Sequence, residues 1–211
     1  MKISWLGHSC FRIEDSQGKV VVTDPFDETV GYEVPHVKAD VVTVSHDHFD
    51  HNNVKAINGD PVAVKGPGNK VAAGIEFAGT ATYHDDEGGK LRGPNTIFCF
   101  EMDDLKVCHL GDLGHTLSEK MVESLGEVDV MMIPVGGVFT IDSKGAKKVI
   151  EQVKPHLVIP MHFKTKDLKF DIEGVDRFLE GLKAEHPGHE VVLFREDLPT
   201  EDVRIIVLDY R

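Results

Sequence analysis

The sequence holds no apolar run long enough to cross a bilayer. The longest, such as "VDVMMIPV" at 128–135, falls far short of the roughly 20 residues a helical span needs. Only three cysteines occur, Cys10, Cys99 and Cys108, each in an apolar strand-like run and none in a C-x-x-C spacing. No disulfide framework is therefore expected, and the three read as small core residues with at most one oxidisable thiol among them. Positive charge is scarce as well: 23 Lys and Arg stand against 36 Asp and Glu, a formal net charge of −13. That balance argues against long nucleic acid as a ligand, because such affinity rests on cations neutralising phosphates. Met1 leads straight into the strand-like "KISWLG" rather than a hydrophobic leader with a cleavage site, so the expected location is cytoplasmic. No low-complexity linker or short-period repeat divides the 211 residues, and a single domain over 1–211 is expected.

What is abundant is β-branched and apolar patterning. Runs bounded by Gly, Pro, Asn and Asp predict strands over 2–6, 10–14, 19–23, 41–45, 61–65, 75–83, 95–101, 105–110, 129–134, 157–161, 191–194 and 203–208. "EDSQGK" and "EMDDLK" read as hairpin turns. Helical signals come later: "SEKMVESLGE" behind an N-cap at Ser118, "DSKGAKKVIEQVKP" with Val149, Ile150 and Val153 at helical spacing, and "EGVDRFLEGLKAEHPG" up to a Pro-Gly stop. Strands first and alternating strands and helices afterwards predict a mixed α/β protein with helices on the outer faces of its sheets.

Histidine is concentrated at one place. In "VVTVSHDHFDH" the donors His46, His48, Asp50 and His51 fall within six positions, just as a buried strand ends. A lone histidine there is an ordinary hydrogen-bonded residue. Four donors together, without a cation, waste desolvation energy and repel one another on protonation. Imidazole and carboxylate suit zinc, with manganese or iron as alternatives. Further donors at strand ends are His84 in "TATYHDD", Asp112 in "VCHLGD" and His162 in "LVIPMH". His8 in "WLGHSCF" and His115 in "GDLGH" are candidates for a supporting or substrate-facing role, whereas His109 inside "KVCHLG" reads as packed. Phe139, Asp142, Lys164, Lys166 and above all Arg92 in "GGKLRGPN" are expected near a substrate site, where a cation can hold a phosphate or carboxylate.

The signature H-x-H-x-D-H, met by His46, His48, Asp50 and His51, resembles that of the metallo-β-lactamase superfamily. The segments "GHSCF", "GDLGH" and "IPVGGVFTID…VIPMHF" look most like the UlaG-like, UPF0173-type metal-dependent hydrolases, a subgroup similar to ascorbate-phosphate lactonases. The resemblance implies an α/β (α+β) fold, a four-layer αββα sandwich of two mixed β-sheets. It implies two divalent metal ions per chain, one held by His46, His48 and His84, the other by Asp50, His51 and His162, with Asp112 bridging. Asp24 in "TDPF" would orient a ligand histidine.

The expected activity is metal-dependent hydrolysis of a small ester, lactone or phosphoester by a bridging hydroxide, with Asp50 as the catalytic residue that orients water or moves its proton. The alternatives are a mononuclear-iron oxidoreductase on the same scaffold, a small-molecule phosphodiesterase, and a metal-loaded binding protein without turnover. The expected partner is a small-molecule substrate, with no long nucleic acid and no membrane. A symmetric homo-oligomer is compatible with the sequence.

Overall fold

The structure, a computed structural model, describes residues 1–210. One sheet has six strands: β1 (Lys2–Gly7), β2 (Cys10–Glu14), β3 (Val20–Thr23), β4 (Val41–Val44), β5 (Val62–Lys65) and β12 (Glu190–Val192), in the order β12-β1-β2-β3-β4-β5. The other has seven: β6 (Gly68–Ala72), β7 (Ile75–Tyr83), β8 (Pro94–Met102), β9 (Leu105–His109), β10 (Val130–Pro134), β11 (Leu157–Met161) and β13 (Arg204–Ile205), in the order β13-β11-β10-β9-β8-β7-β6. Among the described residues no helix is long and apolar enough to cross a membrane.

Alternation along each strand decides the layers. Ile3, Trp5, Phe11, Ile13, Val21 and Val41 of the first sheet enter the core shared with the second sheet. On the opposite face Val20, Val22, Val42 and Val44 pack with Phe26, Val30, Tyr32, Leu168 and Ile172 from loops. Both faces are therefore covered, which is why β3 and β4 read as unbroken apolar runs.

Over the second sheet lie α1 (Glu119–Leu125) and α2 (Ser143–Val153), each the crossover between parallel strands, β9 to β10 and β10 to β11. Ser118 caps α1 by accepting from Met121 N at 3.3 Å, and Asp142 caps α2 by accepting from Gly145 N at 2.8 Å. Leu125, Ala146, Val149 and Val153 bury the apolar faces of both helices.

The structure corrects three expectations. The helix expected in "EGVDRFLEGLKAEHPG" is a single turn, α3 (Asp176–Leu179), ended as Gly181 takes a φ of +77° and Pro187 follows. Strand β6 was not expected: "GNKVA" is a mostly exposed edge strand with little apolar content, recruited by its pairing with β7. Cys99 and Cys108 form a disulfide, leaving Cys10 as the free, buried thiol among the described residues. They face each other across β8 and β9 with Cα atoms 4.2 Å apart, joined by a turn in which Asp103 and Asp104 take φ of +50° and +57°. Hairpin register, invisible to a C-x-x-C rule, brought them together.

The two sheets come into tight contact at one end of the sandwich. Gly111 has a φ of +55°, and a Cβ there would lie 2.4 Å from Asn95 Oδ1 and 2.5 Å from Ser45 Cβ. Gly111→Ala is expected to destabilise the protein by about 1–3 kcal/mol in urea unfolding, as overpacking does, and to lower its metal content. Wild-type stability and metal content together would contradict this packing.

Candidate metal centre

The close end is where chemistry collects, and topology explains why. β1 and β3 are both antiparallel to β2, and β4 is parallel to β3, so all three end at one edge of the first sheet. β7 and β9 are both antiparallel to β8, and β10 and β11 run parallel to β9, so β7, β9 and β11 end at one edge of the second. From these ends emerge His8, Asp24, the 46–51 loop, His84, Asp112 and His162. Backbone bonds join the edges: His162 N donates to His8 O at 3.1 Å, and Thr96 N to Ser45 O at 2.9 Å. His8, Asp24 and His162 take left-handed φ of +53°, +38° and +51°, a strain of order 1–3 kcal/mol each that packing must sustain.

Asp112 lies at the centre. Its Oδ2 is 3.1 Å from Nε2 of His51, 3.1 Å from Nε2 of His84, 3.2 Å from Nε2 of His162 and 4.0 Å from Nε2 of His46. The second nitrogens fix the tautomers. Nδ1 of His51 donates to Asp24 Oδ2 at 3.0 Å, and Nδ1 of His84 donates to Phe139 O at 3.0 Å. Ser45 Oγ gives its proton to Asp24 Oδ2 at 2.5 Å and therefore accepts from His46 Nδ1 at 2.9 Å. In their neutral forms these three imidazoles turn bare Nε2 lone pairs toward one carboxylate. Nε2 of His46 and His51 and Oδ1 of Asp112 are buried with no hydrogen-bond partner.

Lone pairs facing a carboxylate need a proton or a metal cation between them. Without metal, His51 keeps the proton: burial opposes it, but the charges of Asp112 and Asp50 outweigh burial and raise its pKa well above the ordinary value. Burial, then the neighbouring His51, holds His46 down to about 3; burial, then His162, holds His8 down to about 4. Asp112 is buried, which raises its pKa, yet His162 and His51 bring it well below the carboxylate range. Neutral imidazoles around ionised carboxylates form the donor set of a borderline divalent cation, so the cluster fits a metal.

The donor atoms fall into groups, each within 4.8 Å: His46, His48 and His84 in one, His8, Asp50, His51 and His162 in another. Asp24, His46 and His51 meet the same distance, but Asp24 is already taken up by Ser45 and His51. All seven residues expected as ligands are thus brought together. His8 is closer in than expected: Nε2 is 3.2 Å from Asp50 Oδ2, and its ring centroid lies 4.2 Å from that of His162. His109 is buried and bonded through Nε2 to Ser9 O at 2.8 Å, as a packed residue should be.

A cavity of about 300 Å³ opens onto the cluster, lined by His48, Asp50, His84, Asp112 and His162 together with Arg92, Phe49, Phe139 and Phe170. His115 does not reach it: its Nε2 accepts from Tyr83 N at 3.2 Å and its Nδ1 lies 2.8 Å from Thr116 O. Asp142 is spent on capping α2, and Lys164 on the carbonyls of Leu168 and Phe170. Sequence reasoning missed Ser45, although it directly precedes the histidine motif, and Asn95, whose Oδ1 accepts from Asp112 N at 3.0 Å and which no local signal marks. Phe49 stands inside the motif and was read past; Phe170 is brought in by tertiary folding alone.

Residues 2–162 match the Beta-lactamase superfamily domain. The chain is similar to the UPF0173 metal-dependent hydrolase of Archaeoglobus fulgidus, 30% identical over 92% of this chain and 96% of the relative. It is also similar to that of Nanoarchaeum equitans, 32% identical over 93% of this chain and 98% of the relative. Among solved structures it resembles a proposed Zn-dependent hydrolase of the metallo-beta-lactamase superfamily from Thermotoga maritima. That structure has a TM-score of 0.83 and 40% identity, with 100% of this chain and 99% of the other covered.

A cation that takes Nε2 of His51 must displace the proton held there in the metal-free protein. Titrating chelator-stripped protein with zinc at neutral pH, in buffers of different ionisation enthalpy, is expected to show proton release on binding. Zinc binding without proton release would contradict the charge state assigned to His51.

Proposed function

The chain belongs to the β-lactamase superfamily and, within it, to the UPF0173 metal-dependent hydrolases, and on that premise we propose that it hydrolyses a small ester, lactone or phosphoester at a centre built for two divalent cations, zinc first among them. His46, His48 and His84 would hold one cation and Asp50, His51 and His162 the other, with Asp112 between them. The observation that carries this reading is the ring of four imidazole Nε2 atoms within 4.0 Å of Asp112 Oδ2, drawn from three separate segments of the chain: the 46–51 loop, His84 and His162. The chemistry that divalent cations would supply there is a lowered pKa for a water and polarisation of the bond under attack.

The chain's own groups do the rest. Asp24, buried and bonded to Ser45 and His51, orients the His51 ring and keeps its Nδ1 proton in place. Phe139 O does the same for His84. Asp50 reaches the cavity with its Oδ2 braced by His8. Burial raises its pKa, but the charge and hydrogen bond of His51 and the hydrogen bond of His8 outweigh burial and keep it ionised. An ionised carboxylate there accepts a hydrogen bond from a water and aims it. The cavity of about 300 Å³ is in the range of small-molecule sites.

Metal analysis paired with assays on phenyl acetate, a small lactone and phenyl phosphate tests this reading. Two zinc ions per chain are expected, with turnover that disappears on chelation, returns with zinc and falls with metal content on acidification. Asp50→Asn is expected to lower kcat by roughly 10²–10⁴-fold, the usual contribution of a positioned acid or base. Undiminished turnover by metal-free protein would overturn the hydrolytic centre. One iron per chain with oxygen uptake would replace it with the oxidoreductase.

A further inference from the structure

Arg92 is an unusual arginine in this chain. Each of the other described arginines has a carboxylate partner: Arg12 with Glu14, Arg177 with Glu173, Arg195 with Asp129 and Arg204 with Glu185. Arg92 has none among the described residues, although the formal net charge is −13. Among the described residues its hydrogen-bond acceptor is a backbone carbonyl, Val138 O at 3.2 Å, and its guanidinium lies 5.6 Å from the ring centroid of Phe139. A planar cation with donors to spare is left at the wall of the metal-facing cavity.

The position is built. Asp85, itself buried, gathers the loop around its carboxylate: it accepts from Glu87 N at 2.9 Å, Gly89 N at 2.8 Å, Leu91 N at 2.9 Å and Arg92 N at 2.8 Å. The loop is then clamped to the segment that follows Asp112, since a Cβ on Gly114 would lie 2.2 Å from Asp85 N. On its other side the guanidinium is tied to a strained segment, Val138 having a φ of +60°. Successive carbonyls of that segment serve Arg92, through Val138 O, and the metal-facing His84, through Phe139 O. Arg92 is thereby fixed relative to the cluster before any ligand arrives, which lowers the entropic cost of binding.

The cavity wall supplies a second, apolar preference. Phe49 is 51% exposed and Phe139 38% exposed. Phe170 stands 6.3 Å from Phe49 and 6.1 Å from Phe139, ring centre to ring centre. Lys164 holds the Phe170 loop by donating to Leu168 O and Phe170 O, both at 2.7 Å. Two exposed phenyl rings and the partly buried ring of Phe170 leave apolar surface around one cavity that a ligand can bury.

We propose that Arg92 is a specificity-determining residue and that the substrate is a small organic anion. Its carboxylate or phosphate is held by the Arg92 guanidinium, and its aryl or alkyl body lies among Phe49, Phe139 and Phe170. What then happens to the bound molecule rests on the hydrolytic reading above; the recognition does not.

Phenylphosphonate, which has no ester bond to cleave, separates the two. Calorimetric titration of zinc-loaded protein is expected to show phenylphosphonate binding more tightly than methylphosphonate. Arg92→Met should weaken phenylphosphonate about tenfold or more, the size of a lost charge-assisted hydrogen bond, and Arg92→Lys should weaken it less, with zinc per chain unchanged in both. Phe49→Ala should narrow the gap between the two phosphonates. Wild-type affinity in folded, zinc-loaded Arg92→Met, or equal affinity for the two phosphonates in the wild type, would overturn the proposal. Phenylphosphonate binding that depends on Arg92, in a protein that leaves phenyl phosphate and phenyl acetate intact, would support the recognition while removing the hydrolysis.

Discussion

One carboxylate surrounded by imidazoles is the constraint on which this structure turns. Asp112 is buried, and its Oδ2 has four histidine Nε2 atoms within 4.0 Å. Hydrogen bonds on the far sides of three of the rings, from His51 to Asp24, His46 to Ser45 and His84 to Phe139 O, decide which nitrogen keeps its proton and which presents a lone pair. Taking an ionised carboxylate out of water costs several kcal/mol unless a cation and hydrogen bonds compensate it. The fold accepts that cost, and left-handed backbone at His8, Asp24 and His162 besides, at the end of the sandwich where strands of both sheets terminate together. A metal cation bound there would compensate both the buried negative charge and the converging lone pairs.

The scaffold makes that convergence affordable by putting rigidity where the donors are. Parallel pairing aligns the ends of β3 and β4 in one sheet and of β9, β10 and β11 in the other, so that Asp24, His46, Asp112 and His162 stand within three residues of aligned strand ends. Around this rigid floor the walls come from loops, each tied by its own polar anchor: Asp85 for the loop of Arg92, Lys164 for the loop of Phe170. Imidazoles and carboxylates form the floor, and phenyl rings with a guanidinium form the rim. Floor and rim together place carboxylates, imidazoles, a guanidinium and phenyl rings around one cavity.

Much of this was legible in the sequence, for physical reasons that differ from residue to residue. Strands β1 to β4 announce themselves because buried alternation leaves β-branched residues no other place, and β7 matches its expected span of 75–83. The cluster at 46–51 stands out because side chains that dislike one another are crowded together, and His84, Asp112 and His162 follow from the same strand-end logic. What stayed hidden depends on tertiary partners. The cystine between Cys99 and Cys108 needs a hairpin register, and β6 exists because β7 pairs with it. The short α3 shows glycine and proline outweighing an amphipathic pattern. His115, expected in a supporting or substrate-facing role, instead spends both nitrogens on backbone groups. Asn95 and Asp85 bind only backbone and neighbouring side chains, so nothing about their sequence surroundings marks them.

Anomalous diffraction from crystals grown with zinc, recorded on both sides of the zinc edge, tests the central claim most directly. Two peaks are expected flanking the Asp112 carboxylate, with Nε2 of His46 and His84 about 2.0–2.1 Å from one and Nε2 of His51 and His162 at a similar distance from the other. Density with no anomalous peak near Asp112, or a peak ligated only by surface histidines such as His186 and His189, would contradict it.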